Sequence, residues 1–212
     1  MIITANDHSC FSLDSNDTKI VTDPYDDTTF VHPLRLTADF VTISHEHFDH
    51  AFTGAITNDD FTAVRSSCAF ENVVFTVIDT FHDNVQGQAR GQNRVFIIDF
   101  ENLRIVHLGD LGHPLSKEQI DLLGEVDILF IPIGGIYTID APEAAKLTRR
   151  IAAKLTIPMH FNSPELKMEL GELNRYLELM TGDFLINTAA GKSINLYKGE
   201  LIGHSIIAFK QA

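Results

Sequence analysis

A chain of 212 residues with 44% hydrophobic content is long enough to bury a sizeable core and cramped for two. Its formal net charge of −13 sets it against nucleic acid and anionic membranes, since no local basic patch offsets the repulsion. Two isolated cysteines, Cys10 and Cys68, exclude a disulfide framework and a zinc knuckle.

These bounds lead us to expect one domain over residues 1–212, a small-molecule substrate, and neither a nucleic-acid nor a membrane partner. Residues 1–6 lack a basic region followed by an apolar stretch, and no run approaches membrane-spanning length, so the expected location is cytoplasmic. An exposed apolar strand or helix face would be compatible with a homo-oligomer.

Taken in chain order, apolar and β-branched runs predict strands over 10–13, 19–22, 40–43, 73–78, 95–100 and 103–108. Asp99-Phe100-Glu101-Asn102 reads as the hairpin turn between the last two. Ser116 and Gln119 form a capping box before a short helical run at 120–123, which Gly124 stops. A longer helix is predicted over 142–155, with Asp140 as its cap, Pro142 and Glu143 in the first turn, and Ala144, Leu147, Ile151 and Leu155 on one face. A strand follows at 156–159. Ser163-Pro164 then opens a third predicted helix carrying Leu166, Leu170, Leu173, Leu177 and Met180 to a stop at Thr181-Gly182, although Gly171 inside it costs about 1 kcal/mol against Ala. The tail returns to strand pattern at 193–196 and 201–209. Strands and helices mix without a strict βαβ repeat, which suggests two sheets packed face to face with helices outside.

The chemistry gathers in Ser44-His45-Glu46-His47-Phe48-Asp49-His50, three imidazoles and two carboxylates directly after an apolar run. Neutral imidazole and carboxylate suit a divalent metal, and the absence of thiolates argues against a closed structural zinc site. Elsewhere, three more apolar runs stop at a His or Asp: Val77-Ile78-Asp79-Thr80-Phe81 before His82, Ile105-Val106-His107-Leu108-Gly109 before Asp110, and Ile157-Pro158-Met159 before His160. Strand ends converging on one rim would aim all of these at a common centre. His45 and His47 can share a first metal completed by His82. Asp49 and His50 diverge toward a second completed by His160, and Asp110 has two oxygens with which to bridge ions spaced at about 3.5–4 Å. His107 fits a supporting hydrogen-bonding role, with His8, Asp23 and His113 as similar candidates near the metal or the substrate. His32 and His204 read as ordinary histidines.

Arg90 and Asn93, in the Gly-rich loop after His82, are the candidates to meet an anionic or polar substrate group, since guanidinium suits carboxylate or phosphate capture. Tyr137, after Gly134-Gly135, is a third substrate-side candidate, though a tight turn with a packed ring is an equal reading.

This ordered set resembles the metallo-β-lactamase superfamily, most closely its metal-dependent hydrolases that group with ascorbate-phosphate lactonase. Beyond the His45 to His50 motif the resemblance takes in Asp7-His8-Ser9, Thr22-Asp23-Pro24, Phe81-His82-Asp83, Arg90-Gly91-Gln92-Asn93, the run from His107 to His113, Pro132-Ile133-Gly134-Gly135 and Pro158-Met159-His160. It implies an α+β, four-layer αββα sandwich with one or two metals at the sheet edges, held by His45, His47, Asp49, His50, His82, Asp110 and His160. Zinc is favoured, with manganese and iron as alternatives. The implied activity is cleavage of a small ester, lactone or phosphoester by a metal-bound hydroxide, with Asp49 orienting the water or shuttling its proton and Asp110 also counted as catalytic. No counterpart of the segments that grip a lactam drug is present, and the short stretch between His50 and Phe81 leaves little room for the inserted domain of RNA-processing relatives. Iron-dependent oxygen or sulfur chemistry on the same fold and a non-catalytic metal-binding sensor module are the competing readings.

Overall fold

The computed structural model describes residues 1–201 and 203–209. In its first half the chain forms β1 (Ile2–Ala5), β2 (Phe11–Ser15), β3 (Thr18–Thr22), β4 (Phe40–Thr42), β5 (Thr62–Val64), β6 (Cys68–Ala69), β7 (Val73–Phe81), β8 (Gln92–Phe100) and β9 (Leu103–His107). The second half adds α1 (Lys117–Leu123), β10 (Ile128–Pro132), α2 (Ala141–Ile151), β11 (Leu155–Met159), α3 (Leu173–Met180), β12 (Leu185–Thr188), β13 (Ser193–Asn195) and β14 (Ser205–Ala208). The strands make two mixed sheets, ordered β13-β1-β2-β3-β4-β5 and β12-β14-β11-β10-β9-β8-β7-β6.

Two-residue alternation decides which way each strand faces. In β8, Phe96, Ile98 and Phe100 turn toward Ile3, Phe11, Leu13 and Ile20 of the first sheet and build the core between the sheets. Val95 and Ile97 of the same strand face outward, into a second apolar layer with Leu147 and Ile151 of α2 and Tyr176 and Met180 of α3. The outer face of the first sheet is covered differently: Tyr25, Phe30, Leu34, Ala55 and Ile56, from irregular segments and a single 3₁₀ turn, pack on Val21, Val41 and Ile43. The expected αββα sandwich is thus present, with its layer over the first sheet built from loops.

Local signals act where they were expected. Glu101 and Asn102, both at positive φ (55° and 58°), turn β8 into β9 with Phe100 opposite Leu103. Both halves of the Ser116–Gln119 capping box form and Gly124 ends α1; Asp140 and Glu143 cap α2 in the same way.

Two helix boundaries differ from the sequence reading. The second helix ends at Ile151, because Ala152 turns left-handed (φ 52°) and Leu155 pairs with Ile128 in the parallel β10–β11 ladder. The third begins only at Leu173. Residues 163–172 are spent on tertiary ties that a helix would forbid: Leu166 bridges Phe30, Lys167 N–H donates to Thr29 O, and Gly171 N–H donates to Gly134 O. Short strands β1, β5, β6, β10 and β12 join those anticipated. Of the strand expected over 201–209, Ser205–Ala208 forms, and residue 202 lies outside the described residues. Both cysteines are free thiols, Cys10 buried. Among the described residues no helix is long and apolar enough to cross a membrane.

Candidate metal centre

Strand direction is what gathers the site. β7 and β9 are each antiparallel to β8, and β9, β10 and β11 are mutually parallel. The C-terminal ends of β7, β9 and β11 therefore share one edge, and His82, Asp110 and His160 follow those ends. From the other sheet, the turn after β4 brings residues 44–50 to the same edge. Arg94 N–H fastens it to β8 by donating to Ser44 O at 2.9 Å.

The Asp110 carboxylate is the hub. Its Oδ2 lies 3.1 Å from His160 Nε2, 3.2 Å from His82 Nε2, 3.3 Å from His50 Nε2 and 4.0 Å from His45 Nε2. Three groups of donors, each with ligand atoms within 4.8 Å of one another, could hold a metal ion: His45, His47 and His82; His8, Asp49, His50 and His160; and Asp23, His45 and His50, of which the first two share no residue. The first is the trio read from the sequence. The second is the expected Asp49, His50 and His160 with His8 added, which the sequence suggested only as a supporting residue. Several donor atoms, among them His45 Nε2, His50 Nε2 and Asp110 Oδ1, are buried without a hydrogen-bond partner. Buried polar atoms left unpartnered are costly. Nitrogen and oxygen donors converging without thiolates fit a divalent cation.

A supporting layer fixes the imidazoles. Asp23, fully buried, accepts from Ser44 N (2.8 Å), Ser44 Oγ (2.5 Å) and His50 Nδ1 (3.0 Å). With the Ser44 hydroxyl donating to Asp23, its oxygen accepts from His45 Nδ1 at 2.9 Å. Both rings therefore turn Nε2 toward Asp110, the arrangement by which outer carboxylates orient metal-binding histidines. His107 Nε2 donates to Ser9 O at 2.9 Å, fastening the loop that carries His8. His113 Nε2 accepts from Phe81 N and is structural. His32 pairs with Glu165 at the surface, and His204 donates to Ala153 O, away from the centre.

Charge is balanced by proximity. Burial would raise the Asp110 carboxyl, but His160 and His50 hold it well below the usual carboxylate range. Burial disfavours a proton on His50, yet Asp110 and Asp49 beside it push the imidazole well above its ordinary value. Burial and the neighbouring His50 push His45 down to about 2, so it offers a neutral nitrogen. Asp49 stays ionised because His50 and His8, whose Nε2 donates to Asp49 Oδ2 at 3.3 Å, outweigh its burial.

Asn93 is a correction. Fully buried, it does not reach the substrate side: Nδ2 donates to Thr80 Oγ1 (2.8 Å) and Leu108 O (3.0 Å), and Oδ1 accepts from Asp110 N at 2.9 Å. It holds the backbone that carries the hub. Gly109 is required beside it, at φ +56°, because a Cβ there would stand 2.3 Å from Asn93 Oδ1 and 2.6 Å from Ser44 Cβ.

The centre opens into a cavity of about 410 Å³ whose walls include Phe48, Arg90, Tyr137, Lys167 and Met168, with His47, Asp49, His82, Asp110 and His160 reaching into it. Arg90 sits over the Tyr137 ring, Cζ 5.2 Å from its centroid. Its loop is organised by Asp83, which the sequence reading named in the Phe81-His82-Asp83 motif without giving it a role. That carboxylate accepts from the amides of Val85, Gly87, Ala89 and Arg90 at 2.8–2.9 Å. These bonds outweigh burial and bring the Asp83 carboxyl down to about 2. The only hint in the sequence is an acid followed by a polar, Gly-containing stretch, a weak signal. Lys167 was missed because its segment reads as helix.

Comparison with known proteins agrees with this geometry. The profile of the β-lactamase superfamily domain matches residues 2–160. A Carboxydothermus hydrogenoformans protein named as a metal-dependent hydrolase is 29% identical over 203 residues, 81% of this chain and 90% of its own. A Methanoculleus marisnigri protein of the same name is 27% identical over 223 residues, covering 92% and 97%. Among solved structures, a Thermotoga maritima protein of the metallo-β-lactamase superfamily superimposes with a TM-score of 0.80 at 31% identity, covering 99% of this chain and 98% of its own.

Proposed function

We propose that this chain, which belongs to the metallo-β-lactamase superfamily and is one of its metal-dependent hydrolases, cleaves a small ester, lactone or phosphoester at a two-cation centre. His45, His47 and His82 would hold one cation and Asp49, His50 and His160 a second, with the Asp110 carboxylate available to both; zinc suits this donor set. When bound, such cations polarise a carbonyl or phosphoryl oxygen and bring the pKa of water toward about 7.

The observation that carries the reading is one buried carboxylate surrounded by two donor sets at the floor of an open cavity. The rest of the work falls to the chain itself. Asp49, ionised and lining the cavity, accepts the proton of the attacking water and returns it to the leaving oxygen. His8 holds the Asp49 carboxylate in place, and Asp23 holds the His50 ring. No side-chain nucleophile is needed.

The test is metal analysis beside turnover on a panel of lactones, thioesters, phosphomonoesters and phosphodiesters. Wild type should carry two equivalents of metal and hydrolyse at least one class. Asp110→Asn should lose metal and turnover together, and Asp49→Ala should serve as the inactive blank. Unchanged metal content and rate in Asp110→Asn would overturn the assignment.

A further inference from the structure

In this acidic chain a basic side chain easily finds an acid. Arg35, Arg65, Arg94, Arg104, Arg149 and Arg175 each lie within 4.0 Å of a carboxylate. Among the described residues Lys19, Arg90, Lys146, Arg150 and Lys167 have no such partner, and of these Arg90 and Lys167 line the cavity above the candidate metal centre. Each comes from a separate loop that is fixed without them. Arg90 N–H is bound by Asp83 at 2.8 Å, and its guanidinium rests over Tyr137 and reaches Ile136 O at 3.5 Å. Lys167 N–H is bound to Thr29 O, and its ammonium donates to the backbone oxygen of Asp27 at 3.3 Å, while the Asp27 carboxylate accepts from both terminal guanidinium nitrogens of Arg35. Two cationic residues without a carboxylate partner therefore line one open cavity, against the sign of the whole molecule. The same cavity is also lined by the apolar Phe48, Tyr137 and Met168.

We propose that the substrate is a small oxyacid. Beside the bond presented to the metal centre it carries a second, distal anionic group, carboxylate or phosphate, which docks on Arg90 and Lys167 across a short apolar spacer. This rests on the hydrolase reading above and adds the substrate class. Guanidinium and ammonium together recognise an oxyanion through charge-assisted hydrogen bonds that a neutral group of the same shape cannot make. Tyr137 keeps the guanidinium plane in position, so the site is preset before the ligand arrives.

The experiment is calorimetric binding to the metal-loaded protein. Succinate, glutarate and adipate are each compared with the monocarboxylate of equal length, and with the analogue whose distal carboxylate is replaced by phosphonate. One carboxylate occupies the metal centre in every probe, so the difference within a pair isolates the distal group. At the best-fitting length the doubly anionic probe should bind at least about tenfold tighter than the monoacid. Arg90→Ala and Lys167→Ala should each remove most of that advantage and the double variant all of it, while Lys117→Ala, a surface control, keeps it. The larger of the carboxylate and phosphonate advantages identifies the oxyanion. Equal binding of diacid and monoacid at every length, or an advantage that survives in the double variant, overturns the proposal. Parallel turnover of a neutral ester and its anionic counterpart separates the two readings: a binding advantage with no hydrolysis of any ester condemns the hydrolase and leaves the oxyanion site, and hydrolysis with no advantage does the reverse.

Discussion

Replacing Asn93 by Ala separates a structural from a substrate-contacting role. The amide makes three hydrogen bonds in a place without solvent, and truncation leaves two backbone groups stranded: Leu108 C=O and Asp110 N–H, in residues 0% and 1% exposed. Thr80 keeps its bond to the Asn93 carbonyl. A stranded buried group costs about 1–3 kcal/mol, so the two together cost about 2–6 kcal/mol, a large part of the roughly 5–15 kcal/mol that holds a domain folded. Urea unfolding of chelator-treated protein should show the midpoint falling at unchanged slope, with metal content and turnover falling as Asp110 loosens. Chelation keeps metal binding from masking the loss. An unchanged midpoint with only a raised KM would place the amide in the cavity and refute the reasoning.

Two other outcomes follow from the same layer. Gly109→Ala forces a side chain into left-handed backbone and into Asn93 and Ser44; we expect a stability loss of about 2–4 kcal/mol together with loss of metal, and a variant with wild-type Tm and metal content would contradict this. Burial and the adjacent His160 hold the His8 imidazole down to about 4, against opposition from Asp49, while the unfolded chain takes up the proton near 6.5. Between those values the unfolded state binds more protons, so the stability from neutral His8 is complete above pH 6.5 and is lost as pH falls toward 4, on the order of 3 kcal/mol across the window. In chelator-treated protein His8→Gln should flatten that dependence relative to wild type; an identical slope would be the disproof.

Much of the centre was legible in the sequence because strands are directional. An apolar run that stops at a His or Asp announces a side chain at a sheet edge, and four such runs gave His45, His82, Asp110 and His160 before any fold was known. Cap chemistry likewise gave the starts of α1 and α2. What escaped depends on partners distant in the chain. Asn93 looks like a loop residue until β7 and β9 are set on either side of it. The leucines of 166–177 have helical spacing, but Leu166 and Gly171 serve contacts with residues 30 and 134. β10, buried throughout, shows no alternation from which to read its period. Asp83 exerts its effect on backbone amides, and a sequence does not display those.

The four bonds that Asp83 makes to its own loop bear on how this molecule could change. Because they bind nothing outside 85–90, the loop behaves as an interchangeable cartridge clipped to the end of β7. Residues at its tip can be traded while the clip keeps the contour, and the histidines below need not shift. If the proposed substrate role of Arg90 holds, selectivity and reactivity sit on separate parts of the chain, and a lineage or an engineer could alter the first without re-solving the second.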